Sequence, residues 1–242
     1  YISAADSQIT VNVHTGQDFV IANMVLVKVP SNLIVGNIFE DIDYGGGAGR
    51  DLATSGGTGI DNTRVELFDN SGALEEFTMS DATGEYSFGG MANGNYSVRV
   101  VNGSISSNRG GGGSCSACYP VQTYRRNFTT GSGFTDITAE VGGADPTANQ
   151  DAGNSTLTNA QTVSTISIAS EGVIGLDFGF NFNTIVNTNN TGQGSLSQFI
   201  TNSNALAETG MDIVANSIFD PMAGVDVSIF MIPPTSDPLG RT

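Results

Sequence analysis

Short β-rich runs that alternate with turn sequences between residues 36 and 101 constrain this chain more than any other feature. Three segments, 69–72, 81–84 and 93–95, are rich in Asp, Asn, Ser, Thr and Gly, which favour tight turns because they bond their own backbone or tolerate positive φ. The β-rich runs around them lie at residues 36–41, 63–68, 74–79, 85–88 and 96–101. Strands at roughly 8–12-residue spacing with turns between them are typical of a sandwich. The sequence therefore predicts an all-β, Ig-like β-sandwich.

Further β segments lie on both sides of this region. Residues 8–29 contain two β-rich runs, and the second, 20–29, is almost continuously apolar. Such a run is typical of a strand buried on both faces or paired with a partner chain. Residues 172–186 alternate strongly and predict the strand that closes the sandwich. The side chains on one face of that strand are Leu176, Phe178, Phe180 and Phe182.

The C-terminal part of the sequence predicts one helix and one more strand. Ser195 and Gln198 have the spacing of a capping box, and apolar residues follow at helical spacing. A helix near 195–206 is therefore expected. An apolar run at 225–232 is the last predicted strand, and it stops at two prolines.

These patterns divide the chain into three segments. Residues 1–33 form an N-terminal strand segment that could donate or pair a strand. Residues 34–186 form the sandwich, with a loop insertion at 102–171 that is rich in Ser, Thr, Asn and Gly and contains one strand at 119–128. Residues 187–242 form a C-terminal extension. The start at Tyr1 in place of Met leads us to expect a processed chain or a fragment of a larger protein.

The charge of the chain excludes one class of partner. The formal net charge is −16 and the isoelectric point is near 4.1, so the chain repels the phosphates of nucleic acid. Acidic oxygens instead suit Ca²⁺, which prefers hard oxygen ligands. No apolar run reaches the roughly 18 residues of a membrane span, so no transmembrane segment is expected.

A series of motifs in the sandwich region resembles a known family. A strand ends in Glu40-Asp41 before an acidic, Gly-rich loop, a Ser-Asp-x-x-Gly-x-Tyr-x-Phe hairpin spans 80–88, and a Gly-x-Tyr-x-Val strand spans 94–98. In this order the motifs are similar to the SdrD B-like and Cna-B-like modules, prealbumin-like β-sandwiches of large secreted bacterial surface proteins. A second segment, 183–205, resembles Gly-Ser-Leu-x-Gln repeats of such proteins. The resemblance implies an extracellular, cell-surface location and a stalk, adhesin or fibre role.

The same resemblance implies a calcium site. In SdrD B-like modules the loop after the Glu-Asp strand binds Ca²⁺, which here points to Asp41, Asp43 and Asp51, with Asp81 added from the neighbouring hairpin. The loop departs from the family pattern, because it is longer and Gly45 stands where a third acidic ligand is expected. The competing interpretation is that these aspartates are solvated turn residues, since Asp is common in turns.

Cys115 and Cys118 allow three interpretations. A structural disulfide suits a protein of an oxidising compartment. A redox dithiol normally opens a helix in an α/β unit, which the sequence does not predict. A zinc site needs two more ligands, and the only histidine, His14, is far away in the sequence. The disulfide is the prediction.

The Cna-B-like resemblance also raises the question of an isopeptide bond. Such modules often join a strand lysine to a strand asparagine beside a buried acid. Lys28 is the only lysine, Asn181 or Asn183 would be its partner, and Glu66 would be the acid. The competing interpretation is an exposed lysine at a strand end.

Two functions from different classes follow, and neither is enzymatic. One histidine, no phosphate-binding loop and no tryptophan for stacking on sugars argue against catalysis. The first hypothesis is a structural subunit of an extracellular bacterial filament or surface layer, in which copies assemble by strand pairing and calcium stiffens the fold. The second is a calcium-stabilised adhesin that recognises a glycan or a surface protein through residues 102–171.

Overall fold

The fold is given by a computed structural model, which describes residues 32–109, 115–148, 150–151, 153–169, 171–237 and 239–241. The predicted strands within 8–29, together with Lys28, lie outside the described residues.

The described part of the chain contains thirteen strands, two α-helices and one short 3-10 helix, Asn102–Ser104. The strands are β1 (Ile34–Glu40), β2 (Thr58–Gly59), β3 (Arg64–Phe68), β4 (Leu74–Met79), β5 (Glu85–Phe88), β6 (Gly94–Val100), β7 (Val121–Thr129), β8 (Gly133–Ile137), β9 (Thr162–Ile168), β10 (Val173–Ile174), β11 (Phe178–Asn181), β12 (Thr184–Ile185) and β13 (Ile229–Phe230). The α-helices are α1 (Leu52–Ser55) and α2 (Leu196–Ala205).

Eleven of these strands form one sheet that curls around a core. Its main path is β10-β1-β11-β7-β9-β6-β3-β4, with β2 and β5 on β1 and β8 on β7. The first half of β1 pairs with β5 and β10, and its second half pairs with β2 and β11. Because β1 changes partners midway, it joins the two layers of the sandwich. The predicted all-β fold is confirmed.

The core contains the aromatic face that the sequence predicts for residues 172–186. Leu176, Phe178, Phe180 and Phe182 are buried with at most 1% exposure. Gly179 lies between two of them, and a Cβ there would stand 2.6 Å from the ring of Phe39. The absence of a side chain at this position therefore lets the rings of β1 and β7 pack against β11.

The segment predicted as a loop insertion, 102–171, contains three strands of the main sheet. β7 and β9 are central strands, and β8 forms a hairpin with β7. The prediction of one strand at 119–128 agrees with β7 alone. β9 was not predicted because its buried face is partly polar: Thr162 and Ser164 are fully buried. The loop-insertion prediction is corrected accordingly.

The C-terminal extension packs on the sheet through one helix and one short strand. Helix α2 begins as predicted, because the Ser195 hydroxyl caps it by accepting from the backbone of Gln198 at 3.1 Å. In place of a strand over the whole run 225–232, only the two residues of β13 pair, in parallel, with β12. A second apolar cluster that includes Tyr44, Val186 and Ile229 fastens this extension to the sandwich. Within the described ranges, no helix has the length and hydropathy of a membrane span.

Candidate functional site

The four aspartates of the predicted calcium site each have a different hydrogen-bond partner, and only that of Asp43 is distant in the sequence. Arg50 pairs with Asp41 (Nε to Oδ2, 3.0 Å), while burial raises the pKa of the Asp41 carboxyl. Asp51 caps helix α1 by accepting from the backbone of Thr54 at 2.8 Å, and this bond lowers its pKa. The structure therefore gives these carboxylates roles in local folding.

The remaining two aspartates, Asp81 and Asp43, also accept hydrogen bonds within the fold. Asp81 closes the hairpin turn by accepting from the hydroxyl and backbone of Thr83 at 2.7 and 2.8 Å, and these bonds lower its pKa. Asp43 accepts from the backbone of Asp212 at 2.6 Å. Among the described residues, no group of three or more His, Cys, Asp or Glu could hold a metal ion. Calcium binding by these four residues stays a prediction.

The acidic loop, residues 41–51, is a docking point for the C-terminal extension. Besides its carboxylate bond, Asp43 uses its carbonyl to accept from the backbone of Val214 at 3.0 Å. A Cβ on Gly45 would lie 2.5 Å from the Val214 carbonyl, so only glycine allows this close approach. Close packing against Val214 therefore explains why glycine stands at position 45, where the family pattern has an acidic ligand.

A buried cluster of charged residues also links the end of β1 to the C-terminal extension. The Arg109 Nε lies 2.6 Å from Glu40 Oε1, and its Nη1 lies 3.9 Å from Asp226 Oδ1. The hydroxyl of Ser107 donates to Glu40 at 2.6 Å, and the amide of Asn183 donates to Asp226 at 3.1 Å. Burial raises the pKa of Glu40, and the Arg109 charge opposes that rise. The cluster links β1, the segment before residue 110 and the extension.

A second buried cluster is centred on Arg99, which is fully buried. Its Nη1 lies 2.9 Å from Glu66 Oε2, and its Nε donates to Asp151 at 3.3 Å. It also donates to the carbonyl of Thr156 at 2.7 Å, and the backbone of Ser155 donates to Glu66 at 2.7 Å. This arginine therefore fixes the segment around residues 150–157 to β3 and β6.

The residues named for the isopeptide bond have other bonds in the structure. Glu66 accepts from Arg64 and Arg99. The amide of Asn181 donates to the Asp41 carbonyl at 2.8 Å, and its oxygen accepts from Asn183 and Thr184. Because Lys28 is outside the described residues, the cross-link stays a prediction.

All seven arginines of the sequence form ion pairs within the chain. The eight basic residues comprise Lys28 and seven arginines. The paired arginines are Arg50, Arg64, Arg99, Arg109, Arg125, Arg126 and Arg241. Some of these pairs are local, such as Arg241 with Asp237, while those of Arg99 and Arg109 join distant segments of the fold, and no signal in the sequence identified the distant ones.

Cys115 and Cys118 are joined in a disulfide. Cys118 is 2% exposed and packs in the main core, with Cys115 partly buried beside it. The bond thus closes a short turn that leads into β7.

Comparisons with known proteins agree with the motifs of the sandwich. The family model of the SdrD B-like domain matches residues 34–114. The resemblance predicted from the motifs is therefore confirmed over this part of the chain, which is similar to the SdrD B-like domain. No curated protein matches the sequence.

Three solved structures share limited similarity with the chain. The Bacillus anthracis TIE protein has 13% identity and a TM-score of 0.30, over 66% of this chain and 21% of that one. A minor pilin of Streptococcus agalactiae has 9% identity and a TM-score of 0.28, over 67% and 49%. A shaft pilin of Lactobacillus rhamnosus GG has 7% identity and a TM-score of 0.24, over 57% and 51%. The chain thus spans about half or less of each of these structures.

Proposed function

We propose that this chain is a structural module of an extracellular, cell-surface filament or layer, and that it is not an enzyme. The observation that carries the proposal is the use of the arginines. All seven are in ion pairs, and the buried pairs of Arg99 and Arg109 join segments that are far apart in the sequence. Ion pairs used in this way stabilise the fold itself. The similarity of residues 34–114 to the SdrD B-like domain supports the same structural role.

The adhesin alternative is less well supported. It relied on residues 102–171 as a decorated loop that could contact a ligand. Those residues contain β7, β8 and β9, so replacing them with a short turn would remove two central strands of the sheet. No observation favours a glycan or protein ligand.

In the proposed function, copies associate by strand addition. The run 20–29 is apolar along nearly its whole length, and a strand of this kind gains stability by pairing with an open sheet edge. If the rotation between copies does not close a ring, this association produces an open filament.

Negative-stain electron microscopy and sedimentation of the full chain test this function. We expect regular filaments, and Leu26→Asp should abolish them because it places a charge in the pairing run. The matched control is Leu239→Asp at an exposed position, which should leave the filaments unchanged. A monodisperse monomer under all conditions would refute the proposed function. Repeating the experiment with EGTA tests calcium stiffening.

A further inference from the structure

An uncharged apolar groove lies between helix α2 and strand β13. Its apolar lining comprises Ile185, Leu196, Ile200, Phe230 and Ile232, and the rest of the lining is Asn, Thr and Ser, around a cavity of about 470 Å³. Leu196, Ile200 and Phe230 are 47%, 51% and 59% exposed. No charged residue lines this groove, in a chain of net charge −16. Its chemistry therefore suits an uncharged, apolar occupant.

The strand beside the groove has an open edge. In the described part of the chain, β13 pairs with β12 alone. The backbone amide of Ile229 donates to the carbonyl of Asn183, just before β12, at 3.0 Å, and that of Met231 donates to Ile185 of β12 at 2.7 Å. Because successive amides along a strand point to opposite sides, the amide of Phe230 points away from β12. An added strand could accept this bond while its side chains fill the groove.

The groove and the start of the described chain lie at opposite ends of β1. Asn32 donates to the carbonyl of Met91 at 2.8 Å, beside the beginning of β1. β11 runs parallel to β1, and β12 follows it beyond Glu40. The six steps from Ile34 to Glu40 span about 20 Å, and this length separates Asn32 from the end of β1 beside which β11 leads into β12.

We propose that this groove and the outer edge of β13 accept residues 20–29 of a second copy of the chain as an added strand. The inference rests on the proposed function and names the surface through which copies associate. The run is apolar except for Asn23 and Lys28, so its composition matches the groove. The three steps from Val29 to Asn32 span at most about 11 Å, which prevents the whole run from lying in the groove of its own chain. A second copy placed end to end does not have this limit.

Cysteine cross-linking of two full-length preparations tests the inference. One preparation carries Val25→Cys and the other Ile200→Cys, and they are mixed under mild oxidation. We expect a disulfide-linked heterodimer whose linked peptides contain positions 25 and 200. The control mixture replaces Ile200→Cys with Ile218→Cys, at a position that is 95% exposed and outside the groove, and should give only background cross-linking.

A second measurement reads the same contact without cysteine. Ile200→Glu should raise the dissociation constant for self-association about tenfold or more, because it places a charge in the apolar contact. Ile218→Glu is the matched control and should leave the constant unchanged.

The outcomes separate this inference from the proposed function. Two results together would overturn the groove as the acceptor while the structural function stands. These are filaments that persist with Ile200→Glu and the absence of a 25–200 cross-link in the cysteine mixture. A disulfide within a single Val25→Cys/Ile200→Cys chain, with none in the mixture, would also overturn it, since the chain would then fill its own groove. Absence of any self-association in the unmodified chain would refute the proposed function as well.

Discussion

Replacing Arg99 with methionine should destabilise the fold far more than the same change at Arg126, whose ion pair is partly exposed. The substitution keeps side-chain size but leaves the buried carboxylate of Asp151 without its ion-pair partner and leaves Glu66 with Arg64 alone. Breaking one partner of a buried ion pair costs about 3–5 kcal/mol. Arg126→Met is the control, because its partner Asp136 is 45% exposed and exposed pairs contribute about 0–1 kcal/mol.

Urea denaturation measures both losses. The chain has six tyrosines and no tryptophan, so unfolding is followed by tyrosine fluorescence and circular dichroism. Adding Asp151→Asn to Arg99→Met should recover part of the loss, since the neutral amide removes the carboxylate that has lost its ion pair while its oxygen still accepts from the backbone of Gln161. An Arg99→Met variant that loses no more free energy of unfolding than Arg126→Met would refute the buried-charge reasoning.

Three further predictions follow from other parts of the fold. The pKa of Glu40 is raised above 4.5 in the folded chain, so between pH 4.5 and that raised pKa the folded state holds more protons than the unfolded state. Stability therefore falls as the pH rises from 4.5 to the pKa of the folded state. Melting curves over this pH range should show wild type losing stability relative to Glu40→Gln. Gly36→Ala should cost about 1–3 kcal/mol or more, because its Cβ would lie 2.0 Å from the carbonyl of Leu176, whereas at Gly153 the nearest atom is 4.0 Å away and Gly153→Ala should change little. Finally, if calcium binds the acidic loop, it should raise the melting temperature in wild type and not in Asp43→Asn; no rise in wild type would contradict the calcium prediction.

The sequence predicted those elements whose local pattern matches their tertiary role. The turns at 69–72 and 81–84, the aromatic face of β11 and the Ser195 cap of α2 all have local causes, and all are present in the structure. Such features depend on residues within a few positions of each other, so one sequence is sufficient to find them.

The elements that escaped prediction depend on distant partners. β9 has buried Thr and Ser side chains and is a strand because β6 and β7 pair with it on both sides. The partners of Arg99 are 33 and 52 residues away along the chain. The bond between Asp43 and Asp212 joins residues 169 positions apart. None of these pairings leaves a local pattern.

The parallel pairing of β1 with β11 has a mechanical consequence. The chain enters the sandwich at Ile34 and leaves its last sheet strand at Asn181, at opposite ends of two strands that run side by side in the same direction. A tensile load between these points acts along both strands, so the hydrogen bonds between them are sheared together and are not peeled apart singly. Because forced unfolding is governed by the unfolding rate, this arrangement lets the fold resist pulling through its kinetic barrier, whatever its equilibrium stability.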